Sequence, residues 1–145
     1  RVRAKDDLGN WGNWSGEQCA VVPLDDVSPL IRYEGEWDFT NSEDHYLYTT
    51  HHADSPGAAA SLLGTGREIA WISTRGPDRG QAQVKIDGVP QATVDLYATE
   101  YQYRCAVFTA TLDGTPHEIE IEVTGTKNEK SQGCRVDVDG IAVKY

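Results

Sequence analysis

Two arginines and a tryptophan lie around one glycine-rich segment in the middle of the chain. Arg75 directly precedes the sequence Gly-Pro-Asp-Arg-Gly at residues 76–80, and Arg79 lies within it. Trp71 lies four residues before Arg75. A flat aromatic ring can hold the apolar face of a sugar, and the planar guanidinium group matches paired hydroxyls or a carboxylate. We therefore expect a ligand-binding site here. Its candidate residues are Trp71, Arg75, Arg79, Tyr97, Tyr101 and Asn128, with Trp37 and Tyr103 as possible neighbours.

Trp71, Arg75 and Arg79 also have a purely structural interpretation. Trp71 shares the phase of Ile69 along a predicted strand, which favours a place in the core over a place on the surface. Arg75 and Arg79 could equally be charges that anchor the turn to a nearby acid.

Four aspartates are candidates for a cation site. Hard cations such as Ca²⁺ bind several oxygen ligands, and the first and last strands of the domain are expected to meet. The candidate metal ligands are Asp25, Asp26, Asp137 and Asp139. The alternative is that these aspartates cap turns and face water. A structural calcium is the only cofactor that we expect.

Three cysteines, Cys19, Cys105 and Cys134, allow one disulfide and leave one thiol free. Cys105 shares a strand phase with Val107, and Cys134 shares one with Val136, so both could face the same core. We expect a Cys105–Cys134 disulfide with Cys19 free, and the alternative is two buried free thiols. A disulfide would place the protein outside the cytosol.

The sequence contains no motif for nucleophilic or phosphate chemistry. A hydrolase of that kind needs Ser or Cys beside a base, and the chain has no Gly-x-Ser-x-Gly segment, no glycine-rich phosphate loop and no paired-cysteine zinc spacing. We predict that the domain is not an enzyme. The carboxylate pair of a glycosidase has no sequence signature. The less favoured alternative is therefore that this domain is part of a carbohydrate-active hydrolase.

The net charge and composition exclude several kinds of partner. The formal charge is −10, from 13 Lys and Arg against 23 Asp and Glu, and this charge repels phosphate backbones and anionic membrane surfaces. No segment has the 18 or so consecutive apolar residues of a membrane span. We expect neither nucleic acid binding nor membrane insertion. The absence of methionine predicts a fragment of a longer or processed chain, with neighbouring domains as partners.

The elements that must position the candidate residues are predicted to be short strands. Residues 68–74 and 81–86 alternate in the way that half-buried strands do. Residues 76–80 form a turn between them, and Asp87-Gly88 favours a type I′ turn before a return strand at residues 91–96. Two consecutive hairpins are therefore expected.

The whole chain repeats this pattern of strands and turns. About ten short strands recur roughly every 8 to 12 residues, and no window has a persuasive helical periodicity. The pattern predicts an all-β fold, a sandwich or barrel of short antiparallel strands. A length of 145 residues suits one domain, which we place at residues 24–145.

Residues 1–23 have a different character. They contain a basic alternating strand, an Asp-Leu-Gly-Asn turn and a tryptophan-bearing exit. The segment resembles the last hairpin of a fibronectin type III domain, which would make it the remnant of a preceding domain or a linker. The alternative is that it supplies the first strands of the one domain present.

Residues 24–145 resemble one class of domain through several motifs in order. These are GTG at 64–66, WI at 71–72, GPDRG at 76–80, TVDLY at 93–97, VTGTKN at 123–128 and VDVDG at 136–140. They resemble the carbohydrate-binding-module-like domains of secreted bacterial multidomain proteins. The resemblance implies a galactose-binding-like jelly-roll β-sandwich, an extracellular location, a structural calcium and non-catalytic binding of carbohydrate or a cell-surface glycan. The alternative is a structural spacer or adhesion domain without a small-molecule ligand.

Overall fold

The computed structural model describes residues 21–145. In this range the chain forms twelve strands and one short 3-10 helix. The strands are β1 (Leu24–Asp25), β2 (Ile31–Glu34), β3 (Asp38–Asn41), β4 (Thr49–Ala53), β5 (Ala59–Thr65), β6 (Glu68–Arg75), β7 (Gln81–Ile86), β8 (Val89–Asp95), β9 (Gln102–Thr111), β10 (Pro116–Val123), β11 (Val136–Val138) and β12 (Gly140–Lys144). The 3-10 helix is Tyr46–Tyr48. Among the described residues, no helix has the length and apolar character needed to cross a membrane.

The strands form three antiparallel sheets around one core. The largest has the order β2-β5-β10-β7-β8, a second has the order β1-β12-β6-β9, and a third has the order β11-β4-β3. The backbone N–H of Asp139 donates to the carbonyl of Ile72 at 3.0 Å, which connects the β11–β12 junction to β6. Buried residues from all three sheets form a single apolar cluster. The prediction of an all-β sandwich is confirmed.

Strand β10 shows how the sequence pattern produces this core. Ile119, Ile121 and Val123 are buried and pack in the central cluster, while the glutamates between them are partly exposed. Successive side chains of a strand point to opposite faces, so strict alternation buries one face only. Because β10 pairs with both β5 and β7, its apolar face lies at the centre of the large sheet.

One of the two predicted hairpins is confirmed and the other is wrong. β7 pairs with β8, and the turn between them has positive φ at Asp87 (51°) and Gly88 (74°), as a type I′ turn requires. However, β6 pairs with β12 and β9 and not with β7. Residues 76–80 therefore carry the chain from one sheet to another. Alternation predicts which face of a strand is buried, but it does not identify the neighbouring strand.

The predicted Cys105–Cys134 disulfide is also wrong, because both thiols are free and partly exposed. Arg104 has a φ of 54°, which interrupts the regular alternation that placed Cys105 in the core. Cys134 lies in the loop before β11, where its Sγ is 3.4 Å from the carbonyl oxygen of Gly125. Cys19 and most of the predicted fibronectin-like segment at residues 1–23 lie outside the described residues.

Candidate functional site

An open cleft of about 300 Å³ lies where the β3–β4 connection, the 76–80 turn and the start of β9 meet. We call it the tyrosine cleft. It is lined by Thr40, Ser42, Asp44, His45, Asp78, Arg79, Tyr101, Tyr103 and Arg135. Of the six predicted ligand-binding residues, Arg79 and Tyr101 line this cleft. A larger depression over β6, β9 and β12 has no aromatic residue in its lining.

Tyr101 and Tyr103 give the cleft an aromatic wall. Their rings are nearly parallel, at 14°, with centroids 5.9 Å apart, and the two residues are 48% and 37% exposed. A Cβ atom on Gly76 would collide with the Tyr101 ring, so the glycine allows the ring to lie directly on the turn. The guanidinium carbon of Arg79 lies 5.4 Å from the centroid of the Tyr101 ring. Two accessible, preoriented rings beside polar groups can hold a flat, hydroxylated ligand.

Arg79 lies at the floor of the cleft and is only 3% exposed. Its Nε donates to Asp137 and its Nη1 donates to Asp78. Asp137 is completely buried, and its second oxygen accepts a hydrogen bond from Arg135 Nε at 2.7 Å. One buried carboxylate thus holds two guanidinium groups side by side. The structure supports the alternative in which Arg79 anchors the turn to an acid.

His45 lies behind the aromatic wall. Its ring meets the ring of Tyr103 edge to face, with centroids 5.7 Å apart, and the residue is almost fully buried. Its Nδ1 lies 3.9 Å from Asp139 Oδ1 and has no hydrogen-bond partner among the described residues. Burial lowers the pKa of His45 below its ordinary value of 6.5. The imidazole is therefore uncharged at neutral pH.

A second depression adjoins the tyrosine cleft and shares Asp44 and His45 with it. Its wall includes Leu47 and Tyr48, which have positive φ values of 46° and 73° and expose their side chains. Arg104 donates to the carbonyl oxygen of Asp44 at 3.0 Å and holds this loop against β9. Left-handed backbone at bulky residues is costly, so this loop conformation depends on such contacts. The exposed loop extends the surface next to the cleft.

Three of the predicted ligand-binding residues converge on Asp95 instead of the cleft. Asn128 Nδ2 donates to Asp95 Oδ2 at 2.8 Å, and the backbone N–H of Tyr97 donates to Asp95 Oδ1 at 3.0 Å. Arg75 Nη2 donates to the carbonyl oxygen of Asp95 at 3.3 Å. These bonds occupy polar groups of all three residues within the protein. The side chains of Arg75 and Asn128 and the backbone of Tyr97 secure the end of β8, and a ligand-binding role for these three residues stays a prediction.

Trp71 has no exposed surface, so its predicted role in ligand binding is wrong. Its Nε1 donates to the carbonyl oxygen of Asp137 at 3.1 Å, which satisfies the one polar atom of the side chain. The alternative that placed Trp71 in the core is the correct one.

Comparison with known proteins gives one curated relative and several solved structures. No protein-family model matches the chain. The A type blood N-acetyl-α-D-galactosamine deacetylase of Flavonifractor plautii is 28% identical over 76 residues, which are 52% of this chain and 10% of the deacetylase. The chain therefore spans about a tenth of the length of that relative.

Solved structures share most of the fold at low sequence identity. CBM35 from Cellvibrio japonicus Abf62 has a TM-score of 0.58 and 17% identity, over 86% of this chain and 92% of that module. The CBM36-1 domain of a multidomain xylanase, from the hindgut metagenome of Trinervitermes trinervoides, has a TM-score of 0.52 and 12% identity, over 87% of this chain and 98% of that domain. A Paenibacillus xanthan lyase has a TM-score of 0.59 and 13% identity, over 90% of this chain and 14% of the lyase. The chain has the jelly-roll fold of carbohydrate-binding modules.

The four aspartates do not form the predicted metal site on this jelly roll. Both oxygens of Asp137 are bound by arginines, and those of Asp26 are bound by Thr49 at 2.6 Å and by His51 at 2.7 Å. Among residues 21–145, no group of three or more His, Cys, Asp or Glu side chains is arranged to hold a metal ion. Asp26 and Asp137 are instead used in separate hydrogen-bond networks.

Asp25 and Asp139 are the two predicted ligands that keep a free oxygen. Asp25 Oδ1 and Asp139 Oδ2 are buried and have no hydrogen-bond partner in the described part of the chain. Burial raises the pKa of Asp139 to about 6, because a charged carboxylate is poorly solvated there. A hard cation at these oxygens would relieve that cost, so calcium binding stays a prediction with two candidate ligands.

Sequence reasoning missed Asp44, His45 and Arg135 as residues of the cleft. One signal was available, since Arg135 and Asp137 are two residues apart and so share a face of the chain. Asp44 and His45 lie in a polar connection between strands, which has no periodicity to indicate where it folds. The sequence indicates Tyr103 only as a possible neighbour of the site, although this residue provides half of the aromatic wall.

Proposed function

We propose that residues 24–145 form a non-catalytic module that binds carbohydrate in the tyrosine cleft. The observation that carries the proposal is the exposed, nearly parallel pair Tyr101 and Tyr103 beside polar side chains. Carbohydrate rings combine an apolar face with edge hydroxyls, and such a cleft offers both kinds of contact. The jelly-roll relatives named above support the same ligand class.

The hydrogen bonds around the partly exposed His117 also support a non-catalytic role. Thr115, His117 and Asp87 are connected like a hydroxyl, a base and an orienting acid. However, His117 Nε2 is also bonded to Asp113 Oδ1 at 2.9 Å, so both ring nitrogens face carboxylates. These bonds raise the pKa of His117. A protonated imidazole cannot act as the general base of a nucleophile.

The parent protein in this proposal is extracellular and has several domains. Polysaccharides and cell-surface glycans are found outside the cell, and CBM36-1 comes from a multidomain xylanase. Both cysteines of the described region are free thiols, so the location rests on the ligand class and not on a disulfide.

Loss of the aromatic wall provides the direct test. Tyr101→Ala and Tyr103→Ala should each weaken glycan binding by about tenfold, since an interface aromatic contributes more than about 1 kcal/mol when it holds a ligand. Binding is first identified on a glycan array and then measured by calorimetry. Tyr145→Ala is the matched control, because Tyr145 is a tyrosine with 86% exposure that does not line the cleft.

The possible outcomes separate the alternatives. Equal binding by all three variants would move the glycan site away from the tyrosine cleft. Absence of binding of the wild-type protein to any neutral or acidic glycan would favour a spacer or adhesion domain. Turnover of glycosidic or esterified substrates would favour a hydrolase.

A further inference from the structure

Both arginines that line the tyrosine cleft are paired with aspartates of the protein. Arg79 is bonded to Asp78 and to Asp137, and Arg135 is bonded to Asp137. The two cationic groups are therefore matched by two carboxylates that touch them. Neither guanidinium provides an uncompensated positive charge for an acidic ligand.

The remaining groups of the cleft add negative charge or none. Asp44 also lines the cleft and is exposed, which leaves one carboxylate in excess. His45 is almost fully buried behind the ring of Tyr103 and presents little surface to a ligand. Burial and the nearby Asp78 raise the pKa of Tyr101, so its phenol is uncharged.

The surroundings do not reverse this balance. The adjoining depression adds Arg104 and Glu43, one cation and one anion. The chain as a whole has a formal charge of −10, which repels anions at long range in dilute salt.

We propose that the tyrosine cleft selects neutral glycans and discriminates against glycans that carry a carboxylate, sulfate or phosphate. This inference rests on the proposed function, because it concerns the same cleft. The excess carboxylate of Asp44 repels an anionic ligand, and neither matched guanidinium offers a compensating attraction. Like charge placed against the wrong ligand is a common source of specificity.

The test compares matched glycans on an array. Neutral di- to tetrasaccharides of galactose, glucose, mannose and xylose are paired with uronic-acid, sulfated or sialylated counterparts. At about 0.01 M salt, where screening acts beyond about 30 Å, the neutral member of each bound pair should bind about threefold tighter or more. In about 1 M salt, where the screening length is about 3 Å, the preference should largely disappear.

Asp44→Lys provides the decisive variant. The substitution replaces the excess negative charge with a positive one at an exposed position, so the ratio of neutral to anionic binding should shift by about tenfold toward the anionic member. Asp54→Lys is the matched control, because it makes the same change in total charge at an exposed position after β4 that does not line the cleft. Melting curves establish that both variants fold.

Three results would overturn parts of the proposal in distinguishable ways. Tighter binding of the anionic member by the wild-type protein would overturn the selectivity and leave carbohydrate binding intact. An equal shift in the Asp54→Lys variant would show that total charge, and not the cleft, sets the preference. No binding of any array glycan would overturn the proposed function itself.

Discussion

The almost completely buried guanidinium of Arg79 ties the 76–80 turn to β11 through Asp137. A buried ion pair adds little net stability, but removal of one partner leaves the other charge without compensation. Because Asp137 also has no exposed surface, Arg79 is expected to matter more for folding than for direct ligand contact.

Arg79→Ala should lower the free energy of unfolding by about 3 to 5 kcal/mol. Urea denaturation measures this loss. Arg32→Ala is the control, since Arg32 is exposed on β2 and surface substitutions usually change stability by less than about 0.5 kcal/mol. If Arg79→Ala were as mild as the control yet abolished glycan binding, Arg79 would be a ligand-binding residue after all.

Calcium should raise the melting temperature if it binds at the free oxygens of Asp25 and Asp139, because an ion bound only to the native state stabilises that state. Asp139→Asn should remove the calcium response, since the amide takes away one charged ligand. Melting curves are recorded with millimolar calcium and after chelation. Identical curves for the wild-type protein in both conditions would exclude a calcium site on the folded domain.

His117 connects two turns at one end of the large sheet. Its Nδ1 lies 2.6 Å from Asp87 Oδ2 in the β7–β8 turn, and its Nε2 lies 2.9 Å from Asp113 Oδ1 in the β9–β10 turn. Only a protonated imidazole can donate both bonds. The bonds to Asp87 and Asp113 raise the pKa of His117. The pKa of Asp87 is lowered first by the backbone N–H of Glu118 and then by His117, and that of Asp113 first by the hydroxyl of Thr115 and then by His117.

The stability contributed by His117 should depend on pH in a defined direction. Since its folded pKa is above the ordinary value of 6.5, the contribution is complete below pH 6.5 and is lost as pH rises through the folded pKa. The aspartate contributions are present above pH 3.8 and are lost on acidification through their lowered pKa values. The connection between the two turns therefore stabilises the fold most between about pH 3.8 and pH 6.5.

His117→Gln tests this dependence, because glutamine cannot become charged. The difference in melting temperature between wild type and variant should be largest near pH 5 to 6 and should shrink toward pH 9. A difference that is constant across this range would show that protonation of His117 contributes nothing to stability.

Local sequence signals predicted strands better than they predicted pairing. The limits of β7, the positive φ at Asp87 and the buried face of β10 all follow from short-range rules of alternation and turn chemistry. The partner of β6 does not follow from such short-range rules, because β12 lies about seventy residues later in the chain. The left-handed residue Arg104 shifted the phase on which the disulfide prediction depended.

At the scale of the whole molecule, the fold class could be predicted and the cleft could not. Repeated alternation and the absence of helical periodicity are properties of the entire sequence. The cleft instead combines residues 40–45, 78–79, 101–103 and 135, which come together only through tertiary structure. Arg79 can be predicted because it lies in a recognisable turn, and Tyr101 only because an aromatic ring can hold a sugar, whereas Asp44 and His45 have no such local signal.

The pairing of the last two strands with earlier ones has a consequence for how the protein folds during synthesis. β12 lies between β1 and β6, and β11 pairs with β4, so β1, β4 and β6 lack these partners until residues 136–144 have been synthesised. The indole of Trp71 likewise finds its acceptor 66 residues later. Contacts of such long range make folding slow, and until they form, the edges of β4 and β6 remain open to pairing with other chains. Folding of this domain should therefore be completed only after β12 has left the ribosome.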